Sequence, residues 1–204
     1  MTPRLGVLVS GSGTTLQNFL DREKAGTLAG TVALVVSSDA EAYAAERARR
    51  AGRPVEVVEW RKDVGSGAFS EAITKALRRE KVDLVLLAGF LRLYRFPGDL
   101  AGRVLNIHPA LLPAFGGKGM YGRRVHEAVV KSGVKVTGCT VHFADQAYDR
   151  GPIVLQRTCP VHFEDTPDAV AKRVFELEKE AYPEAVALFA AGRLKVEAGR
   201  VRIT

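Results

Sequence analysis

Two polar residues that could stabilise a reacting carbonyl group stand close together near the middle of the chain. Asn106 and His108 belong to the run Val104–His108, which reads as a buried strand, and Pro109 ends that strand because it has no N–H for a ladder. Alternate side chains of a strand share a face, so the amide and the imidazole point the same way. An amide donor beside a group that exchanges a proton near neutral pH suits chemistry that develops negative charge on a carbonyl oxygen. The alternative is a strand end whose polar residues only cap a loop.

A carboxylate partner for His108 could come from the loop of residues 145–152, which reads Asp-Gln-Ala-Tyr-Asp-Arg-Gly-Pro. Most loops of this composition are solvated turns. In the functional interpretation, Asp145 or Asp149 reaches His108 and favours its protonated form.

A glycine-rich turn near the N-terminus resembles an anion site. Residues 10–17 read Ser-Gly-Ser-Gly-Thr-Thr-Leu-Gln, directly after a strand-like run and at the start of a helix. Free N–H groups and the helix dipole favour an anion there, and we expect the ligand to meet the backbone where a side chain of residue 13 would stand. A dinucleotide site would need a third glycine at Leu16, and a P-loop would need Gly-Lys-Ser/Thr. A phosphate-monoester site fits best, and a tight turn without a ligand is the alternative.

The elements that would position these groups alternate along the chain. Strand-like runs cover residues 5–9, 32–36, 55–58, 84–88 and 104–108, and helix-like segments cover 15–23, 41–51 and 69–80. Continuous apolar strands separated by helices predict an α/β fold with a doubly wound, mostly parallel sheet.

The second half of the chain has a different pattern of predicted elements. We expect a helix over residues 123–131, strands over 134–143 and 153–159, and a C-terminal antiparallel hairpin of 194–196 with 201–203. Thr166 and Pro167 form a helix start, and Pro183 should kink or split that helix. Without repeats or linkers, residues 1–204 are expected to form one domain.

Composition limits the classes of function. The 204 residues are 47% hydrophobic and 26% charged, which is ordinary for a globular protein. The net charge of +7 permits attraction to phosphates, but the arginines lie beside acids in helix-like segments and no aromatic-interleaved basic motif is present. A small anionic substrate is therefore favoured over nucleic acid, although a basic nucleic-acid binder stays an alternative.

Location, thiols and metals can also be judged from the sequence. No apolar run approaches a membrane span and no signal peptide is apparent, so a cytoplasmic protein without membrane partners is expected. Cys139 and Cys159 lie in apolar runs and are expected to be buried free thiols. The four histidines show no metal-ligand spacing, so no metal is expected.

Taken together, the motifs strongly resemble the phosphoribosylglycinamide formyltransferase family, the folate-dependent enzymes of purine synthesis. They are Ser-Gly-x-Gly near the N-terminus, Ala-Gly-Phe-Leu-Arg, Asn-Ile-His-Pro-x-Leu-Leu-Pro, Gly-Lys-Gly-Met-Tyr-Gly, Val-His-Phe and Asp-x-Gly-Pro-Ile, in the family's order. The Asn-x-His-Pro block is similar in methionyl-tRNA formyltransferase and formyltetrahydrofolate hydrolase. The phosphate-type glycine loop favours the glycinamide ribonucleotide enzyme, and from the length of 204 residues we expect neither of the additional domains of the other two.

The resemblance implies a Rossmann-like formyltransferase with 10-formyltetrahydrofolate as co-substrate and no metal. It implies a phosphate-binding half over about residues 1–100 and a folate-binding half over about 101–204. Implied catalytic residues are Asn106, His108 and Asp149. Implied contacts to phosphoribosylglycinamide are Gly13, Thr14, Thr15, Phe175, Glu176, Leu177 and Glu178. Implied folate contacts are Leu91, Arg92, Leu93, Tyr94, Asn106, Asp145, Gln146, Ala147, Tyr148 and Asp149.

The same resemblance leaves alternatives open. A related formyltransferase could act on another amine, or a phosphate or nucleotide sensor could keep the glycine loop without turnover. The protein could be a monomer or a homodimer. Three departures from the family pattern stand out: residues 62–66 read Lys-Asp-Val-Gly-Ser where some members carry a folate-contacting Arg, Gly116 replaces a usual Pro, and Arg150 replaces a common Gly.

Overall fold

The computed structural model describes residues 2–61, 63 and 65–204. The chain divides into two compact units, Met1–Leu105 and Asn106–Thr204. The prediction of one domain over residues 1–204 stays a prediction.

The first unit is built from parallel strands and helices. Its elements are β1 (Arg4–Val9), α1 (Thr14–Lys24), β2 (Thr31–Ser37), α2 (Tyr43–Arg50), β3 (Val55–Val57), α3 (Gly65–Arg79), β4 (Leu84–Leu87) and a short 3₁₀ helix (Gly98–Leu100), followed by β5 (Val104–His108). β1 pairs in parallel with β2 and β4, and β2 pairs in parallel with β3. β1 and β2 are buried along nearly their whole length, as expected for strands covered on both faces.

The second unit adds an antiparallel pair of strands and a long helix. Its elements are α4 (Arg123–Ser132), β6 (Val136–Phe143), β7 (Ile153–Pro160), α5 (Pro167–Ala190), β8 (Leu194–Glu197) and β9 (Arg200–Ile203). β6 pairs antiparallel with β7, and β8 with β9. The strands run in the order β3-β2-β1-β4-β5-β6-β7. This confirms the α/β fold with a mostly parallel sheet and a C-terminal antiparallel extension.

The helix α5 corrects one prediction. Thr166 caps it, its hydroxyl accepting a hydrogen bond of 3.2 Å from the Ala169 N–H, as the sequence indicates. Pro183 does not split the helix, which continues to Ala190, so a split is wrong, whereas a kink at Pro183 stays a prediction. The proline lies in a stretch whose neighbours Tyr182 and Ala185 are completely buried. Packing of this apolar face therefore outweighs the missing N–H.

Both cysteines are free and buried, which confirms the expectation for Cys139 and Cys159. Over the described residues, no helix is long and apolar enough to cross a membrane.

Candidate active site

The strand β5 ends at the residues that the sequence singles out. Its bounds, Val104–His108, match the prediction. Leu105 is completely buried, His108 is 3% exposed and Asn106 is half-buried. The Asn106 amide nitrogen lies 3.4 Å from one Asp149 carboxylate oxygen, and His108 Nδ1 lies 3.5 Å from the other. The amide and the imidazole therefore face the same carboxylate.

Both ring nitrogens of His108 face acceptors. Nδ1 faces Asp149, and Nε2 lies 2.8 Å from the backbone carbonyl oxygen of Phe115. A neutral ring could donate to only one of these oxygens, whereas an imidazolium donates to both.

Asp149, and not Asp145, is the carboxylate that reaches His108. Asp149 has a φ of 56°, a left-handed conformation that Asp tolerates, and its Oδ2 accepts a 2.9 Å hydrogen bond from the Gly117 N–H. Asp145 instead accepts a 2.8 Å hydrogen bond from the Ala147 N–H within its own loop. Gly151 allows the end of the loop to pack directly against the β6 backbone, since a Cβ there would lie 1.7 Å from the Phe143 carbonyl oxygen. The loop thus holds one carboxylate in the site and turns the other away.

His142 on β6 is a site residue that sequence reasoning noted only inside a motif. Its Nδ1 donates to the Phe143 carbonyl oxygen at 2.9 Å, which leaves Nε2 to accept from the Asn106 amide at 3.0 Å. Burial lowers the pKa of His142 and keeps the ring neutral. The ring therefore fixes which end of the Asn106 amide faces Asp149.

Polar residues on β6 and β7 hold the turn after β5. The Thr140 hydroxyl donates to the Ala110 carbonyl at 2.7 Å and accepts from the Leu112 N–H at 3.0 Å. The Gln156 amide adds 3.1 Å hydrogen bonds to Thr140 and to the Leu112 carbonyl. These bonds fix the segment that leads from His108 towards Phe115.

An open cleft of about 390 Å³ lies beside Asp149 and is lined in part by Tyr148, Arg150 and Gly116. A Cβ at Gly116 would lie 2.5 Å from a Leu112 methyl carbon and 3.3 Å from Asp149 Cβ. At the position of the usual Pro, the chain therefore has a glycine that packs closely against the Asp149 loop.

The glycine loop lies in the first unit. The expectation that a side chain at residue 13 would point towards the ligand is wrong. Gly13 is the N-cap of α1, with a φ of 73°. A Cβ at Gly13 would not stand in the path of a ligand, since it would lie 2.6 Å from Ala44 Cβ and 2.8 Å from Ala44 Cα on α2. Glycine is needed here for its backbone conformation and for helix packing. Thr14 is exposed and Thr15 half-buried, at the first turn of α1.

A formyl transferase family model matches residues 3–186. The chain is 42% identical to a phosphoribosylglycinamide formyltransferase, chloroplastic, of Vigna unguiculata, covering 90% of this chain and 59% of the relative's length. It is 36% identical to the phosphoribosylglycinamide formyltransferase of Haemophilus influenzae, covering 95% of this chain and 90% of the relative's length. The crystal structure of glycinamide ribonucleotide transformylase 1 from Symbiobacterium toebii matches with a TM-score of 0.90 and 45% identity. The match covers 99% of this chain and 94% of that chain. The chain belongs to the phosphoribosylglycinamide formyltransferase family.

The family's folate segment falls just after β4. Leu91 is 45% exposed and its N–H donates a 2.9 Å hydrogen bond to the Ser10 hydroxyl. Arg92 is exposed and Leu93 half-buried, and the Arg92 guanidinium lies over the Trp60 ring. Tyr94 lies in the core, 2% exposed, with its hydroxyl 2.8 Å from Thr74 Oγ1, and burial raises its pKa to about 12. A folate role for this segment stays a prediction.

The segment that the family resemblance assigns to the ribonucleotide, residues 175–178, lies on α5, and this role stays a prediction. Phe175, Leu177 and Glu178 are half-buried, and the exposed Glu176 pairs with Lys179 at 2.5 Å. Burial raises the pKa of Glu178 to about 7, so this carboxyl changes charge near neutral pH.

The remaining residues of the family pattern lie on loops. In the 145–148 loop, Gln146 and Ala147 are exposed and Tyr148 is half-buried, beside the exposed Arg150. Of the segment that lacks the folate-contacting Arg, Lys62 and Val64 lie outside the described residues.

Proposed function

We propose that this protein transfers the formyl group of 10-formyltetrahydrofolate to the amine of 5-phosphoribosylglycinamide, a step of de novo purine biosynthesis. The observation that carries the proposal is the convergence of Asn106 and His108 on the Asp149 carboxylate, at 3.4 and 3.5 Å. Family membership supports the substrates, since relatives along nearly the whole chain carry the corresponding name.

In the proposed reaction, the substrate amine attacks the formyl carbon and the carbonyl electron pair moves onto oxygen. Asn106 and protonated His108 donate hydrogen bonds to this oxyanion, and for this His108 Nε2 exchanges the Phe115 carbonyl oxygen for the substrate oxygen. The tetrahedral intermediate then collapses: the bond from carbon to the folate nitrogen breaks, and a proton from the amine reaches that nitrogen through His108 or a water. The formyl donor is already activated, so the reaction requires no metal.

The hydrogen bonds of Asn106 indicate how its amide can serve an oxyanion. One amide hydrogen is used by His142 at 3.0 Å, whereas the other makes only a long contact of 3.4 Å with Asp149. The second hydrogen is the one that a developing oxyanion can take over. His142 thereby supports the proposed donor without touching the substrate.

Substrate binding is assigned by family resemblance. Gly13, Thr14 and Thr15 would hold the phosphate, and the Phe175 to Glu178 segment of α5 the rest of the ribonucleotide. Leu91 to Tyr94 and residues 145–149 would line the folate site.

Two free thiols agree with a reducing compartment, so we place the reaction in the cytoplasm. We expect the protein to be a monomer or a homodimer.

The test is formyl transfer from 10-formyltetrahydrofolate with phosphoribosylglycinamide and charged initiator tRNA as competing acceptors. We expect turnover with the ribonucleotide alone. Activity on the tRNA alone, or on neither acceptor, would refute the proposal. Folate-independent binding of phosphate without turnover would favour a sensor.

The raised pKa of Glu178 predicts that ribonucleotide binding depends on pH. If the ionised carboxylate accepts hydrogen bonds from the substrate, binding weakens as pH falls through a pKa of about 7. Between pH 8 and pH 6 the charged fraction falls about tenfold, and KM for the ribonucleotide should rise by a similar factor.

Glu178→Gln is the control for this prediction, because the ionisation of the substrate's own phosphate and amine remains in the variant. Steady-state kinetics of both proteins at several pH values give the part of the change that belongs to Glu178. Equal pH dependence in the two proteins would show that this carboxyl does not bind the substrate.

A further inference from the structure

Two successive carbonyl groups of the glycine loop are bound by the same helix, α2. The Gly11 carbonyl oxygen accepts a 3.0 Å hydrogen bond from the Ala44 N–H. The Ser12 carbonyl oxygen accepts a 2.8 Å hydrogen bond from Arg47 Nε. One side of this loop is therefore occupied by α2, through one backbone and one side-chain donor.

The direction of the neighbouring N–H groups follows from peptide geometry. In a planar trans peptide the C=O and the following N–H point in opposite directions. Because the carbonyls of Gly11 and Ser12 point towards α2, the N–H groups of Ser12 and Gly13 point away from it. Successive N–H groups on one side of a turn, ahead of a helix N-terminus, form the arrangement that binds anions.

Arg47 is held firmly at this loop. Besides its bond to Ser12, its Nη1 donates to the Gln17 side-chain oxygen at 2.9 Å, and its guanidinium lies 4.8 Å from the centre of the Tyr43 ring. The side chain is half-buried. These three contacts fix the position of the guanidinium before any ligand binds.

The charge of Arg47 is not neutralised by an acid, in contrast to its neighbours. Arg50 pairs with Glu46 at 2.7 Å and Arg53 with Glu23 at 3.1 Å. Within residues 2–61, 63 and 65–204, no carboxylate forms an ion pair with Arg47, whose hydrogen-bond acceptors are a carbonyl and an amide. Its positive charge therefore stays available to an anion at the loop.

We propose that Arg47 is a positioning residue for the substrate phosphate: it fixes the Ser12 carbonyl, so that the Gly13 N–H points away from α2, and it supplies positive charge beside the loop. The inference rests on the proposed function and deepens it, because it assigns phosphate recognition to a helix outside the glycine loop. A guanidinium suits this task since its planar fork holds a carbonyl while keeping its charge.

The first test replaces Arg47 by Ala and by Lys. Arg47→Ala should raise KM for phosphoribosylglycinamide about tenfold to a hundredfold, the range for lost hydrogen bonds involving a charged group. The turnover number and KM for 10-formyltetrahydrofolate should stay within about twofold. Arg47→Lys keeps the charge without the fork and should recover part of the loss. Arg49→Ala removes the same charge from an exposed position of α2 and should change none of the three constants.

The deciding comparison uses glycinamide riboside, the acceptor without its phosphate. If Arg47 acts through the phosphate, the wild-type to Arg47→Ala ratio of kcat/KM should fall to near one with this acceptor. An equal loss with both acceptors, or no loss with the ribonucleotide, would overturn the inference. Thermal unfolding of each variant separates a folding defect from a binding defect.

A measurement without turnover separates this inference from the proposed function. Calorimetric titration of wild type and Arg47→Ala with ribose 5-phosphate should show the same loss of affinity as the kinetics. If wild type binds ribose 5-phosphate through Arg47 but transfers no formyl group, the proposed function fails and the inference stands. Equal affinity in the two proteins would overturn the inference, even with full activity of the wild type.

Discussion

Replacing Asp149 by Asn should lower the turnover number by about a hundredfold or more, the range for loss of a general acid–base or oxyanion contribution. The variant keeps the size of the side chain and an oxygen that can accept from Gly117. It removes the negative charge that faces His108 Nδ1 at 3.5 Å. Without that charge the imidazolium is less favoured, so less of the active form exists at a given pH. Steady-state kinetics at saturating substrates measure the loss, and the dissociation constant of the ribonucleotide should change little.

The pH profile distinguishes this electrostatic role from simple damage to the loop. Activity that needs protonated His108 declines as pH rises, and without the carboxylate this decline should move to lower pH. Asp145→Asn removes the same charge from the same loop, but its carboxylate is bound to Ala147, so the profile should stay in place. A decline at unchanged or higher pH in Asp149→Asn would contradict the electrostatic role, even with activity lost.

Asn106→Ala should reduce the turnover number by about a hundredfold to a thousandfold, as for removal of one oxyanion donor. The amide is neutral, so its loss should leave the pH at which activity declines nearly unchanged. This separates Asn106 from Asp149 in one set of measurements. The variant also leaves His142 Nε2 without its 3.0 Å donor, and a moderate fall in thermal stability is expected.

An alternative explanation for a low activity of Asn106→Ala is that His142 moves into the site. Asn106→Asp addresses this, because it restores an oxygen-bearing side chain of the same size without amide hydrogens. We expect it to be as inactive as the Ala variant. Activity close to wild type in either protein would show that the amide is not the oxyanion donor.

The sequence predicts the order and type of the main elements because each strand is a continuous apolar run and each helix has an apolar face. β5 is predicted with its exact bounds since Pro109 marks its end. Other ends shift by a few residues for local reasons. For example, α2 begins at Tyr43 rather than near residue 41, where the Asp39 carboxylate instead accepts a 2.9 Å hydrogen bond from the Glu41 N–H.

Parts of the site could not be predicted because they depend on contacts between distant segments. His142 orients Asn106 across 36 positions of sequence, and no periodicity shows that a histidine on one strand faces an amide on another. Arg47 binds the Ser12 carbonyl across 35 positions, and in the sequence it is one arginine among several on a helix. The sequence likewise does not show that a Cβ at Gly13 would meet Ala44, because this contact depends on where α2 packs. Strand alternation gives the face of a residue, whereas its partner is set by the tertiary fold.

The buried cysteines provide an internal reporter of how β6 and β7 open. Cys139 on β6 is completely buried and Cys159 on β7 is 8% exposed, and burial raises the pKa of both thiols, that of Cys139 to about 12. Thiol reagents must reach the sulfur and attack its thiolate, so modification of the completely buried Cys139 requires these strands to separate. Because β6 also carries Thr140 and His142, the rate of thiol labelling under native conditions measures how often the support of Asn106 comes apart. Comparing that rate with the rate of inactivation distinguishes local opening of the site from global unfolding, without any introduced label.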